Sequence, residues 1–497
     1  MASARAAPGE YPAPVTLLLR SERVLLGDGA RGFRLVPADV LIRDGLIVSV
    51  TEPGPEGFPD EPDAVHLRHA LLTPAFVNAH THLAMSAFRG LATNRVISGN
   101  VVEELYFRVE SHLQPGDVRA FSRLGAWESL LSGVGCVWDH YYYGREMVDA
   151  LLDVGLEGVV APTLQDVAGP GVPWLEQQWE QTLALIGDAS LAERGIVPAL
   201  GPHASDTVSP DLWRRITEVS ATHGLPIHVH VAQSIEEVDR AWDRHGCSPV
   251  ASLDRAGVLS DAAGVLLVHC LFTSRDDLAL LDPGRHRLVH CPWSQVQFGF
   301  PAAERTWAEA GLEVALGTDC GSSNDSMDVQ GELRLMAWGG SYATTWSDPL
   351  ERFLATGSQA DARAVQAHRS GQIAQQQTWE TTERLLDAVW RIPGAAHPGA
   401  QQGVIAPGMR ANLAVWDANH PALWPGNDYL HAFVMGSMRD ALRGLYLGGR
   451  TVIDPATGPS ALLAGDTFAE HRHEASERLT KLLVRAGVDP HPWKAKG

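Results

Sequence analysis

Three histidine pairs in this chain have the spacing His-x-His: His80/His82, His228/His230 and His471/His473. At this histidine frequency chance alone supplies about one such pair, so placement decides which of them matter. In a strand, residues i and i+2 point the same way. His80 and His82 close one short apolar run, and so aim at one point. His230 closes a second run and Asp319 a third. Three neutral imidazoles and a carboxylate suit Zn²⁺ or Fe²⁺ and leave a coordination position for water. Taken singly, each residue reads as a hydrogen-bonded core side chain; taken together they read as a metal centre. His471/His473 sits in the charged stretch HRHEASER and reads as a solvated helix face.

The elements that would hold these residues are eight β-prone runs at 71–77, 134–138, 158–163, 196–200, 226–231, 265–268, 287–289 and 312–316. Helical stretches separate them; Val118, Phe121, Leu124 and Leu131 recur at helical spacing between the first two. Strand–helix alternation repeated eight times predicts an α/β fold, a distorted (β/α)8 TIM barrel. Each run ends in polar residues: His80 and His82, Asp139 and His140, Gln165 and Asp166, His203, His230 and Gln233, His269, His290 with Ser294 and Gln295, and Asp319. Such barrels place their chemistry at these C-terminal strand ends.

Short β-prone runs flank the barrel on both sides. They predict a discontinuous β-sandwich from residues 15–70 and 400–465 around a barrel at 71–399. A flexible tail at 1–14 and a helix with a polar tail at 466–497 complete the chain.

Composition narrows the chemistry. Acidic residues outnumber basic ones 59 to 39, a net charge of −20, which disfavours nucleic-acid polymers and anionic membranes as partners. The only lysines are Lys481, Lys494 and Lys496, so no P-loop lysine, Schiff-base lysine or carbamylated lysine can serve a site in the first 480 residues. Cys136, Cys247, Cys270, Cys291 and Cys320 show no CxxC spacing and read as buried free thiols of a reducing compartment, a cytoplasmic protein.

The segment LTPAFVNAHTHLAMSAFRGLA resembles the first barrel strand and loop of amidohydrolase-superfamily deaminases. The likeness continues through GPHASDTVSP, PIHVHVAQSIEEV, LLVHC, VHCPWSQ, GLEVALGTDCGSSNDSMD and GVIAPGMRANLAVWD. The nearest branch is that of adenosylhomocysteine/methylthioadenosine deaminases, guanine deaminases and triazine chlorohydrolases. The resemblance implies that His80, His82, His230 and Asp319 bind one metal, zinc or else iron. It also implies that His269 meets the reacting centre and that His203 orients substrate. Two-metal branches generally need a carboxylated lysine, which this barrel lacks.

One position departs from the pattern. The residue three after the strand-five histidine is usually a glutamate that carries a proton to a ring nitrogen; here it is Gln233. An amide can hold a substrate but cannot relay a proton. A metal lowers the pKa of bound water from 15.7 towards about 7, Asp319 can take the proton, and His269 can assist the oxyanion or leaving group. Glu236 and Glu237 are expected to face solvent, and Ser322, Ser323 and Asn324 to cap the next helix.

Trp138, Tyr141, Trp293 and Phe298, with Gln295, are expected to line a pocket for a planar heterocycle or an amidine. Glu103, Glu104 and Arg108 are expected in a lid between Ser86 and Gln114. The resulting expectation is a metal-dependent hydrolase of a C–N bond, a deaminase or iminohydrolase, possessed of a small-molecule substrate and forming a homo-oligomer. The alternatives are a triazine-type C–Cl or C–NHR hydrolase and a metal-binding pseudoenzyme.

Overall fold

The computed structural model describes residues 16–27, 32–91, 101–298, 304–342, 348–379 and 381–489. The expected tail at 1–14 and residues 92–100 of the expected lid lie outside these. The first strands are β1 (Thr16–Gly27), β2 (Phe33–Arg43), β3 (Leu46–Thr51), β4 (Val65–His66) and β5 (Ala70–Pro74). Then follow β6 (Phe76–His82), β7 (Val134–Tyr141), β8 (Glu157–Leu164), β9 (Ile196–Pro198), β10 (Gly201–Pro202), β11 (Ile227–Val231), β12 (Val265–His269), β13 (His286–His290), β14 (Glu313–Leu316) and β15 (Asp319–Cys320). The last are β16 (Leu413–Asp417), β17 (Leu442–Leu447) and β18 (Arg450–Ile453).

The two flanks meet in one sheet, ordered β18-β17-β16-β5-β1-β2-β3 with β4 beside β1. The join is antiparallel pairing of β5 with β16, Leu72 opposite Val415. A further bridge from Leu46 to Arg410 draws the β3 edge back towards β16. Leu19, Val24, Val40, Ile42, Leu72, Leu413 and Val415 form the core that this sheet folds over. The run 71–77, expected to be a single strand, is two: the chain leaves this sheet after Pro74 and opens the next with Phe76.

The remaining strands are parallel. β6, β7 and β8 are neighbours in that order, β9 and β10 lie on β8, and β15 pairs with β6. β11, β12, β13 and β14 form a second parallel group, and bridges from Leu200 to Ile227 and from Ala204 to His230 link the two. Every residue of β7 and β8 is buried, because helices such as Pro115–Leu131 and Gly144–Val154 cover the outer face. Alternate residues meet on the inner face: Val77 and Ala79, Cys136 and Trp138, Val159 and Ala161, Leu266 and Val268, Val289 and Cys291. The β6–β7 ladder slips between Asn78 and Thr81. This slip separates the inward pair Val77/Ala79 from the inward pair His80/His82, whose parity is opposite.

A buried ion pair fastens the parallel strands to the flanking sheet. Arg410 donates to both oxygens of Glu157, at 2.5 and 2.7 Å, and Asn412 Nδ2 donates to Oε2 at 2.9 Å. The expected C-terminal helix is Asp466–Arg485, packed on Pro115–Leu131. Arg485 reaches the His112 carbonyl and the buried Asp117, and Arg108 donates to the Gly487 carbonyl. His471 is half-buried rather than solvated, because Trp127 Nε1 donates to its Nδ1 at 3.1 Å; His473 is exposed. All five cysteines are buried and free. Among the described residues, no helix is long and apolar enough to cross a membrane.

Candidate metal centre and active site

β6 delivers His80 and His82, β11 delivers His230, and β15 begins at Asp319. His230 Nε2 lies 3.2 Å from His80 Nε2 and 3.3 Å from His82 Nε2. Asp319 Oδ1 is 3.7 and 3.6 Å from the same two nitrogens. The Asp319 Oδ2 atom accepts from Ser294 Oγ at 2.8 Å. Gly317 allows this close approach: a Cβ there would stand 2.7 Å from the His80 Cβ and N.

The hydrogen bonds behind the rings fix what the front can do. His230 Nδ1 donates to the His203 carbonyl at 2.6 Å, and His82 Nδ1 donates to the His140 carbonyl. A carbonyl only accepts, so each proton is committed to Nδ1 and each Nε2 presents a lone pair. Two lone pairs 3.3 Å apart repel unless a cation lies between them. Burial lowers His80 to about 3 and holds His230 well below the ordinary imidazole range, so the rings are neutral, as metal ligands must be. Burial opposes the charge on Asp319, but its His80 contact and the nearby His269 and His82 hold the carboxyl far below its usual range. The donor set fits one divalent metal of the zinc or iron class.

His269 is arranged differently. Gln295 Nε2 lies 3.3 Å from His269 Nδ1; with the amide donating, the His269 proton stays on Nε2. His269 is therefore a hydrogen-bond donor towards the centre, and burial lowers it to about 4. Backbone strain concentrates here: His269 has φ +77°, Asp319 +60° and Ala232 +51°, all left-handed and none glycine.

These groups open into a cavity of about 1170 Å³ lined by His82, His203, His230, Gln233, His269, Gln295 and Asp319. Tyr141 also lines it, and His203 Nδ1 is 3.0 Å from Thr207 Oγ1. The structure does not bring every expected contact there. Trp138 is buried among the strands, against His228 and His397 with ring centroids 5.6 and 6.1 Å away, because its strand position points into the inner core. Trp293 is 46% exposed and lies outside the lining, turned outward on the helix Pro292–Phe298. The side chain of Phe298 lies outside the described residues. Glu103 lines the cavity, whereas Arg108 turns away to Gly487.

Glu237 corrects another expectation. It is buried, with Oε1 accepting from Ser205 Oγ and Ala232 N and Oε2 from Gln233 N, at 2.5, 3.0 and 2.8 Å. Burial raises it to about 7. It anchors the turn that carries Gln233, and the Ser-x-x-Glu pattern from Ser234 to Glu237 was its available sequence signal, although only the Ser234 half of a capping box forms and the Glu237 carboxylate bonds the two preceding N–H groups instead. Ser323 is also not a helix cap: it lines the cavity, 2.5 Å from Ser294 Oγ.

Sequence reasoning missed Glu110, which has no motif. It lines the cavity beside Tyr106, Tyr141 and Tyr142, and burial raises its carboxyl to about 7. It stands just after the π-helical turn Val102–Tyr106, a distortion frequent at functional sites.

The amidohydrolase family profile matches residues 71–379. A 5'-deoxyadenosine deaminase of Methanothrix thermoacetophila is 31% identical over 322 residues, 65% of this chain and 74% of that protein. An adenosine deaminase structure from Xanthomonas campestris with bound zinc superposes with a TM-score of 0.75 at 22% identity, covering 95% of this chain and all (100%) of that one. An atrazine chlorohydrolase structure from Arthrobacter aurescens complexed with zinc gives 0.74 at 20% identity, covering 92% and 100%. At these identities the two structures are likenesses of fold.

Proposed function

The chain belongs to the amidohydrolase family, and from that premise we propose that it is a zinc-dependent deaminase or iminohydrolase acting on a small amino- or imino-substituted compound. The parallel strands are read as a (β/α)8 barrel at 71–399, with the sheet of 15–70 and 400–465 as its accessory unit. The observation that carries the functional reading is the convergence of His80, His82, His230 and Asp319, with the protons of His82 and His230 committed to carbonyls behind them.

When bound, the metal supplies an acidified water at neutral pH. With such a metal held by His80, His82, His230 and Asp319, the Asp319 carboxylate would take the proton that the attacking water gives up. His269 donates a hydrogen bond from Nε2 to the heteroatom that gains charge. Ser294 keeps the other Asp319 oxygen engaged. The net change is R₂C=NH plus water to R₂C=O plus ammonia. Gln233 holds substrate by its amide and carries no proton, which suits a substrate that arrives already protonated, such as an amidinium. Glu110 offers an acceptor to N–H or O–H groups away from the reacting carbon.

The test is ammonia release by zinc-loaded protein from 5'-deoxyadenosine, guanine, pterins and amidines. Turnover of an amidine or imine is expected. Chloride or alkylamine release from a triazine, without ammonia from the panel, replaces this reading with the second one. Bound zinc with no turnover of any compound overturns both. Gln233→Glu sharpens the assignment: a loss of about tenfold or more in native kcat is expected, and an unchanged native rate would remove Gln233 from the site chemistry.

A further inference from the structure

The three imidazoles are not held alike. Behind His82 and His230 stand carbonyls, which fix the proton on Nδ1 whatever happens in front. Behind His80 stands another imidazole: His80 Nδ1 lies 3.0 Å from His228 Nε2, with both rings buried and nearly perpendicular at 88°. Either ring can donate in this contact. If His228 Nε2 carries the shared proton, His80 Nδ1 accepts, the His80 proton moves to Nε2, and the face turned to the metal is blocked. If His80 Nδ1 donates, its Nε2 is free and the His228 proton must sit on Nδ1. Two tautomers of one buried pair thus correspond to a closed and an open ligand.

We propose that His228 is the positioning residue that selects the metal-binding tautomer of His80: its Nε2 accepts from His80 Nδ1, which leaves the His80 Nε2 lone pair facing the centre and the His228 proton on Nδ1, a buried atom with no protein partner. The proposal rests on the metal-centre reading above. Its surroundings suit a fixed ring. Trp138 meets His228 edge to face at 86° and His140 lies tilted at 5.5 Å, so neither lets it rotate out of reach of His80. The inward turn of Trp138 acquires a purpose here: it buttresses the clamp.

Zinc affinity, measured by competition with a chelator, tests this without any substrate. His228→Phe keeps the ring's bulk and removes the acceptor; zinc binding about 10- to 100-fold weaker is expected, as for other residues that orient a ligand. His228→Gln restores an acceptor and is expected to bind within about threefold of the parent, where weakening of one conservative partner stays small. Equal affinity of His228→Phe and the parent overturns the proposal. So does equal weakening in both variants, which marks a packing role. On the unmutated zinc-loaded protein, nitrogen-15 correlation spectra report which His228 nitrogen bears the proton: Nδ1 supports the clamp, and Nε2 overturns it even where a variant fails to fold. A parent protein that binds no zinc overturns the metal-centre reading itself, whereas tight parent binding with an unaffected His228→Phe removes the clamp alone.

Discussion

The two ends of the parallel strands handle buried polar groups in opposite ways. At the start of β8, Glu157 is fully buried yet matched: Arg410 donates twice and Asn412 once. At the far ends of β6 and β11, the lone pairs of His82 and His230 Nε2 face each other at 3.3 Å. Close by, the buried Asp139 Oδ2 and His140 Nδ1 have no protein partner. The lower end satisfies its charges within the chain and joins two sheets. The upper end leaves a mismatch that only something from outside resolves, and the left-handed residues His269 and Asp319 lie there. Stability and chemistry are thus separated along the same strands, by roughly the length of one of them.

That separation can be broken from either end. The largest effect is expected from Asp319→Asn, which removes the proposed ligand and proton acceptor at once: kcat falls by about 10³-fold or more, while the chemical denaturation midpoint of metal-free protein stays close to that of the parent. Arg410→Met acts at the other end. It leaves Glu157 buried and unpaired, and unfolding in urea is expected to show a loss of about 3 kcal/mol, with zinc stoichiometry of the folded protein unchanged. Zinc content falling in step with stability would mean that the two ends are one unit. The gentlest effect is on pH dependence. Burial lowers His203 and His269 to about 4, so the unfolded chain binds more protons below the ordinary imidazole pKa. Stability of metal-free protein is therefore full above about pH 6.5 and declines as pH falls towards 4, whereas a flat profile over that window would show that these rings are not held neutral by burial.

What the sequence made legible follows the same division. The convergence of His80, His82, His230 and Asp319 was readable because strand periodicity and strand ends are local properties: each of them closes an apolar run. Trp138 was misplaced because an aromatic beside a strand end reads alike whether it points into the barrel or over its mouth. Glu237 was misjudged because helix periodicity spoke for solvent, while its bonds to Ala232, Gln233 and Ser205 come from folding back over the helix start. Glu110 has no local signature, since the tyrosines Tyr141 and Tyr142 beside it come from the end of β7, far along the chain. The single run at 71–77 hid a strand exchange at Ala75, where continuous apolarity conceals a change of sheet.

The final helix adds one more consequence. Arg485 and the Gly487 carbonyl hold the chain around Arg108 and His112, immediately behind Glu110. The far terminus thereby acts as a backstop for the pocket wall. Removing Arg485 to Gly487 should alter which molecules are accepted before it alters the rate with those that still bind, so selectivity in this scaffold is adjustable from a place remote from every proposed ligand.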